Sequence, residues 1–152
     1  MIIDTHTHFY DPLRPQGVPW PSEDNELLYR TVLPEHHREV STSEGVTGTV
    51  VVEASSWLED NQWVLDLAMN DSWIVGLVGH VEPGREGFAA DIERFAENPL
   101  FRGVRLGGGF LEGIEQSSFL DDMEVLVRHD LELDLLMNID HWDGLCFLAE
   151  RI

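Results

Sequence analysis

Two histidines, His6 and His8, sit two residues apart just after the apolar start Ile2-Ile3, with Asp4 two residues ahead of them. Successive side chains of a strand alternate faces, so Asp4, His6 and His8 are expected in one column and Thr5 and Thr7 on the other side. Imidazoles presented this way can hold Zn²⁺, Mn²⁺ or Fe²⁺, and Asp4 below could orient a ligand from behind. The rival reading is a chance pair in a chain with 7 histidines. Position favours function, because strand ends are where parallel α/β barrels keep their reactive groups.

Other candidates stand at similar places. Glu53 closes the apolar run Val50-Val51-Val52 and would reach the rim as a ligand, a base or a partner for a substrate hydroxyl; the alternative is a solvated loop acid. Arg105 lies between Val104 and Leu106, where a guanidinium needs an anion: a substrate carboxylate, or a structural acid such as Asp4 or Glu53. His80 in Gly79-His80-Val81 is either a third ring nitrogen at the rim or a satisfied core histidine. His141 in Asn138-Ile139-Asp140-His141-Trp142 could contact substrate, although capping by Asp140 explains the local sequence as well. Trp20, held between Pro19 and Pro21, suits stacking on a substrate ring or covering a pocket, with core packing as the duller reading. His36, His37 and His129 read as surface residues of helices.

The elements that must position these groups recur in sequence. Five β-rich or apolar runs, Ile2–His8, Val46–Glu53, Trp73–Val81, Phe101–Leu106 and Leu131–Met137, start 44, 27, 28 and 30 residues apart. Each is followed by helical periodicity, which predicts βα units and a parallel sheet. Pro34 suits the first position of the first helix. Phe88, Ile92, Phe95 and Ala96 form one apolar stripe, and Leu145, Leu148, Ala149 and Ile152 another. Ser118 and Asp121 form a near capping box for a helix with Phe119, Met123, Leu126 and Val127 turned inward. The longer first interval carries the Pro- and Trp-containing stretch Phe9 to Leu33. This pattern is α/β, but by itself it leaves open a doubly wound sheet or a closed barrel.

Bulk properties exclude several roles. With 43% hydrophobic residues the 152-residue chain can build one core. Its 29 acidic and 9 basic residues give a net charge of −20, which repels phosphate backbones and makes nucleic acid and anionic membrane poor partners. No apolar run reaches a membrane span and the start lacks a signal-peptide pattern, so a soluble, cytoplasmic protein is expected. All nine basic residues are arginine. Cys146 stands alone among Leu145, Phe147 and Leu148, as a buried small hydrophobe would. Gly107-Gly108-Gly109 has neither GxGxxG order nor a P-loop lysine and reads as a flexible rim loop or a close backbone approach. HExxH, EF-hand, GxSxG and CxxC motifs are absent.

The stretch Ile3-Asp4-Thr5-His6-Thr7-His8-Phe9 resembles the first strand of the amidohydrolase superfamily. Tyr10-Asp11-Pro12, Trp20-Pro21, Val50-Val51-Val52-Glu53 and Phe101-Arg102-Gly103-Val104-Arg105 are similar to the amidohydrolase-related group that includes sugar-lactone and pyrone-dicarboxylate lactonases. The resemblance implies a TIM (β/α)8 barrel, here truncated after about five βα units, with residues 1–152 as the N-terminal portion of one barrel domain. It also implies His6 and His8 facing a divalent metal (zinc or manganese) or the substrate carbonyl directly, since some members work without a metal. A later histidine and a final-strand aspartate would complete such a site beyond Ile152.

The expected chemistry is attack of activated water on the carbonyl of a lactone or related cyclic ester or amide, with Arg105 holding a carboxylate. The expected substrate is a small carboxylated or sugar-derived molecule. A nonoxidative decarboxylase on the same fold is the second reading. A catalytically inactive half-barrel or assembly subunit is the third, since parallel edges at the first and fifth strands invite homo-oligomers.

Overall fold

The structure, a computed structural model, describes residues 1–116 and 118–152. Its strands are β1 (Ile2–Thr7), β2 (Val46–Val52), β3 (Ile74–Gly79), β4 (Phe101–Gly107) and β5 (Glu132–Leu136). They pair in parallel in the order β1-β2-β3-β4-β5. Helices α1 (Pro34–Ser41), α2 (Leu58–Asn70), α3 (Phe88–Ala96), α4 (Phe119–Arg128) and α5 (Trp142–Ala149) alternate with them. Each right-handed crossover therefore steps in one direction and leaves its helix on the same face. A doubly wound sheet reverses its order at a switch point, and this sheet does not. The five units form a half-barrel.

The core lies between the sheet and that helix layer. Val51, Leu77, Val104 and Leu106 pack with Leu65 of α2, Ile92 and Phe95 of α3 and Met123 of α4. Phe95 stacks on Phe101 at 5.4 Å between ring centres. Gly103 has a steric reason: a Cβ there would stand 2.2 Å from the Glu132 carbonyl oxygen of β5. Only a glycine lets β4 and β5 approach so closely.

Every expected strand exists, with ends within two residues of those observed. Several local expectations need correction. β1 is bulged: Asp4 pairs with Thr49 and Thr7 with Val51, so three steps on β1 answer two on β2. That extra residue breaks the expected column of Asp4, His6 and His8. The Asp4 carboxylate reaches His37 of α1, while His6 reaches Arg105 across the sheet. His37 is accordingly no surface residue; only 13% of its side chain is exposed.

On α4, Val125 is buried and Val127 exposed, because the face toward the sheet is set by Phe119, Met123 and Leu126. Ser118 occupies the N-cap without a side-chain bond; the Asp121 amide donates to its backbone carbonyl instead. On α5 only Leu148 is fully buried; Cys146 and Ala149 are exposed, and so is Ile152, which lies beyond the end of the helix. The 3-10 turn Ile139–His141 that leads into α5 is capped by Asn138, whose side chain accepts the Asp140 amide, and not by Asp140. Gly108 is the close approach expected of the glycine run, since a Cβ would meet the His141 ring at 2.2 Å.

Candidate active site

The C-terminal ends of four strands meet around an open cleft of ≈ 480 Å³, lined by His8, Glu53, Arg105 and Leu136 with Pro19, Trp20 and Ala54 to Ser56. The position is that of barrel active sites. β1 supplies His6 and His8, whose rings meet edge to face at 5.0 Å. β4 supplies Arg105, whose Nη1 donates to His6 Nε2 at 3.2 Å. A guanidinium can only donate, so His6 is a neutral ring with its proton on Nδ1.

His8 is fixed the opposite way. Its Nδ1 lies 3.0 Å from the Val52 carbonyl, which can only accept, so the proton is on Nδ1 and the Nε2 lone pair is uncommitted. Burial lowers the pKa of His8 below the ordinary histidine value, and the neighbouring Arg105 charge acts in the same direction. His8 is thus a neutral acceptor at pH 7.

Glu53 extends the β2 ladder, its amide donating to the Val78 carbonyl at 2.8 Å. Burial raises its carboxyl from 4.5 to about 7, and Asp134 pushes the same way, while Arg105 and the Ser55 amide oppose. A carboxyl with that value exchanges protons readily near neutrality.

Arg105 finds neither Asp4 nor Glu53 as its structural partner. Its ion pair is with Asp134 of β5, Nε to Oδ2 at 3.7 Å, directly across the ladder from Arg105. Asp134 was hidden in the sequence because Glu132-Leu133-Asp134 shows only alternation; the register that sets it beside Arg105 is a pairing property. The pair leaves guanidinium donors free toward the cleft.

His80 is close by but tied down. Its ring Nδ1 donates to the Arg105 carbonyl at 3.2 Å, and its backbone N–H and C=O are both taken by the buried Asn61 side chain, at 2.9 and 2.7 Å. Burial lowers its pKa. Asn61 had no signal in sequence beyond being polar on the inner side of α2. Trp20 covers the cleft from the long first loop, edge-on to His8 at 5.7 Å and to Tyr10 at 5.3 Å. His141 does not join the group: it packs on Gly108 and takes the Asn138 amide on Nδ1, with Glu112 3.7 Å away.

Among the described residues no three His, Cys, Asp or Glu side chains converge as a metal set. A catalytic zinc uses three protein ligands, and here two imidazoles are present, one with its lone pair facing Arg105. These residues alone therefore do not fit a divalent metal. They do make a partly desolvated hydrogen-bonding wall of one cationic arginine, two histidines and a carboxyl that titrates near 7.

The family model described as Amidohydrolase matches residues 3–146, and the chain belongs to this family. The L-fucono-1,5-lactonase of Burkholderia ambifaria is 30% identical over 155 residues, an alignment covering 98% of this chain and 52% of that protein. An amidohydrolase of Burkholderia multivorans, solved with bound zinc, superposes with a TM-score of 0.80 at 22% identity over 98% of this chain and 54% of that one. A probable 2-pyrone-4,6-dicarboxylic acid hydrolase from Acinetobacter baumannii, solved with citric acid bound, gives 0.65 at 14% identity over 88% and 48%. The chain spans about half the length of these relatives. No helix among the described residues is long and apolar enough to cross a membrane.

Proposed function

We propose that this chain carries the N-terminal half of the active site of a hydrolase that opens a lactone of a carboxylated or sugar-derived substrate. The observation that carries the reading is the shared cleft of Glu53, His8 and Arg105, with a carboxyl raised to about 7 beside fixed hydrogen-bond donors. In the carboxylate form Glu53 takes a proton from water as its oxygen attacks the ring carbonyl. Arg105 donors meet the charge developing on the carbonyl oxygen or hold a substrate carboxylate, while His8 lines the cleft and His6 is held against Arg105. The ring C–O bond then breaks and its oxygen receives the proton from Glu53, so lactone and water give one hydroxy acid. Trp20 offers an aromatic face to the sugar ring.

The 30% identity to an L-fucono-1,5-lactonase supports the substrate class and makes an aldono-1,5-lactone the first compound to try. Zinc or manganese content is a separate measurement, because His6 and His8 alone do not make a metal site. The test is acid release from aldono-1,5-lactones by the whole protein and by its His6→Asn and Glu53→Gln variants. Loss of about 100-fold or more in kcat is expected for Glu53→Gln, in the range of a lost general base. Unchanged rates in both variants would sink the assignment, and carbon dioxide release from an unsaturated acid without ring opening would replace it with the decarboxylase.

A further inference from the structure

Behind the bulge of β1 lies a chain of hydrogen bonds that the cleft does not use directly. The Trp73 indole N–H, just before β3, donates to His37 Nδ1 at 2.8 Å. An indole nitrogen can only donate, so Nδ1 carries no proton and His37 holds its proton on Nε2. That Nε2 faces Asp4 Oδ2 at 3.2 Å. The other oxygen of the same carboxylate accepts the backbone N–H of His6 at 3.1 Å. The Asp4 carbonyl, also inside the bulge, accepts the Thr49 hydroxyl at 3.0 Å, and Thr49 is fully buried.

These bonds answer a specific need. A bulge leaves ladder groups without partners, and each must be met locally. Here the His6 amide and the Asp4 carbonyl are met by Asp4 itself and by Thr49. The bulge also sets the phase of β1: it turns Asp4 toward α1 and leaves His6 on the Arg105 side. A neutral His37 with its proton on Nε2 can hold the carboxylate in that place, whereas the other tautomer would set a lone pair against it.

We propose that His37, locked in its Nε2–H form by Trp73, is a positioning residue: through the Asp4 carboxylate it fixes the bulge that aims the His6 ring at Arg105, beside His8. The inference takes from the preceding reading only that His6 works together with Arg105. Its primary test is independent of turnover.

The measurement is ¹⁵N-edited NMR of the histidine rings in the whole protein, for the wild type and for His37→Leu, His37→Gln and Trp73→Phe. The wild type is expected to show His37 protonated on Nε2 alone. Trp73→Phe removes that bias and yields a tautomer mixture. His37→Leu moves the His6 ring signals, and His37→Gln, whose amide N–H can still donate to Asp4, restores them. If the lactone is turned over, His37→Leu lowers kcat about 10- to 100-fold with KM little changed, as a small misplacement of a catalytic group does, and His37→Gln recovers most of it. A His37 proton on Nδ1, or His6 signals identical in wild type and a folded His37→Leu, would overturn the proposal. If His37→Leu does not fold, Trp73→Phe and His37→Gln still decide it by the same ring signals. Absence of hydrolysis with the NMR pattern intact would overturn the lactonase reading and leave this one standing.

Discussion

Glu53 is the residue whose chemistry can be followed by pH. Its carboxyl titrates near 4.5 when exposed and about 7 when folded, chiefly through burial. The folded state thus holds the proton that the unfolded chain releases. Its contribution to stability is complete below pH 4.5 and is lost as pH rises through about 7. Activity runs the other way, because the base form is the carboxylate, so kcat/KM should rise with pH through about 7. Glu53→Gln should flatten both limbs, seen in urea titrations and in pH–rate profiles. The neighbours set the sign of further shifts: Arg105 lowers this pKa and Asp134 raises it. The activity limb should therefore move to higher pH in Arg105→Ala and to lower pH in Asp134→Asn. An activity limb that stays in place in both variants would show that burial alone controls the group.

At this scale the sequence was legible where a residue type and a strand end coincide. His8 and Glu53 were readable as the residues that close apolar runs and His6 and Arg105 as polar residues near the ends of such runs, and Glu53, His8 and Arg105 share the cleft. Asp134, Asn61 and His37 were not, because each is defined by the partner it meets across 29, 19 or 33 residues of chain. His141 misled for the same reason. It follows a strand as an active-site histidine would, yet its ring is spent packing on Gly108.

Among the elements, the end of β3 depends on one contact with α2. Asn61 Oδ1 and Nδ2 satisfy the His80 amide and carbonyl, and a Cβ on Gly79 would lie 2.2 Å from the same Asn61 oxygen. Asn61→Ala leaves two buried backbone groups unmet and should cost about 1–3 kcal/mol. Gly79→Ala should cost about as much by overpacking. Urea unfolding of the double variant should show less than the sum, since both changes break one contact. Full additivity would mean that the glycine matters for another reason. The helix stripes were legible on α3, where Phe88, Ile92 and Phe95 are all buried, and misleading on α5, which ends at an exposed Ala149 short of the equally exposed Ile152. Periodicity states that one face is apolar; it does not say how much of that face a neighbour covers.

For the molecule as a whole, a net charge of −20 on 152 residues means that folding brings like charges together. Ion pairs such as Arg38–Asp71 and Arg94–Glu59 relieve part of it, but nine arginines face 29 acids. Screening should therefore stabilise the fold, and Tm is expected to climb between low salt and roughly 0.5 M NaCl. A Tm that falls with salt would mean that the ion pairs outweigh the repulsion. The same surface carries apolar residues at the β5 side, Leu136, Ile139 and Trp142, each more than half exposed.

The sequence by itself determined the number, type and order of the five βα units, and with them the parallel sheet, because periodicity and turn residues act over a few neighbours. It also placed the candidate residues His6, His8, Glu53 and Arg105 at or near strand ends. Periodicity left a barrel and a doubly wound sheet open; the first-strand resemblance implied a truncated barrel, and the strand order bears it out. The partner of Arg105, the tautomers of His6, His8 and His37 and the bulge that separates Asp4 from His6 came from pairing register. Those are long-range quantities: a single extra residue in β1 moves a side chain from one face of the sheet to the other, and only the pairing of strands 40 or so residues apart decides where that residue goes.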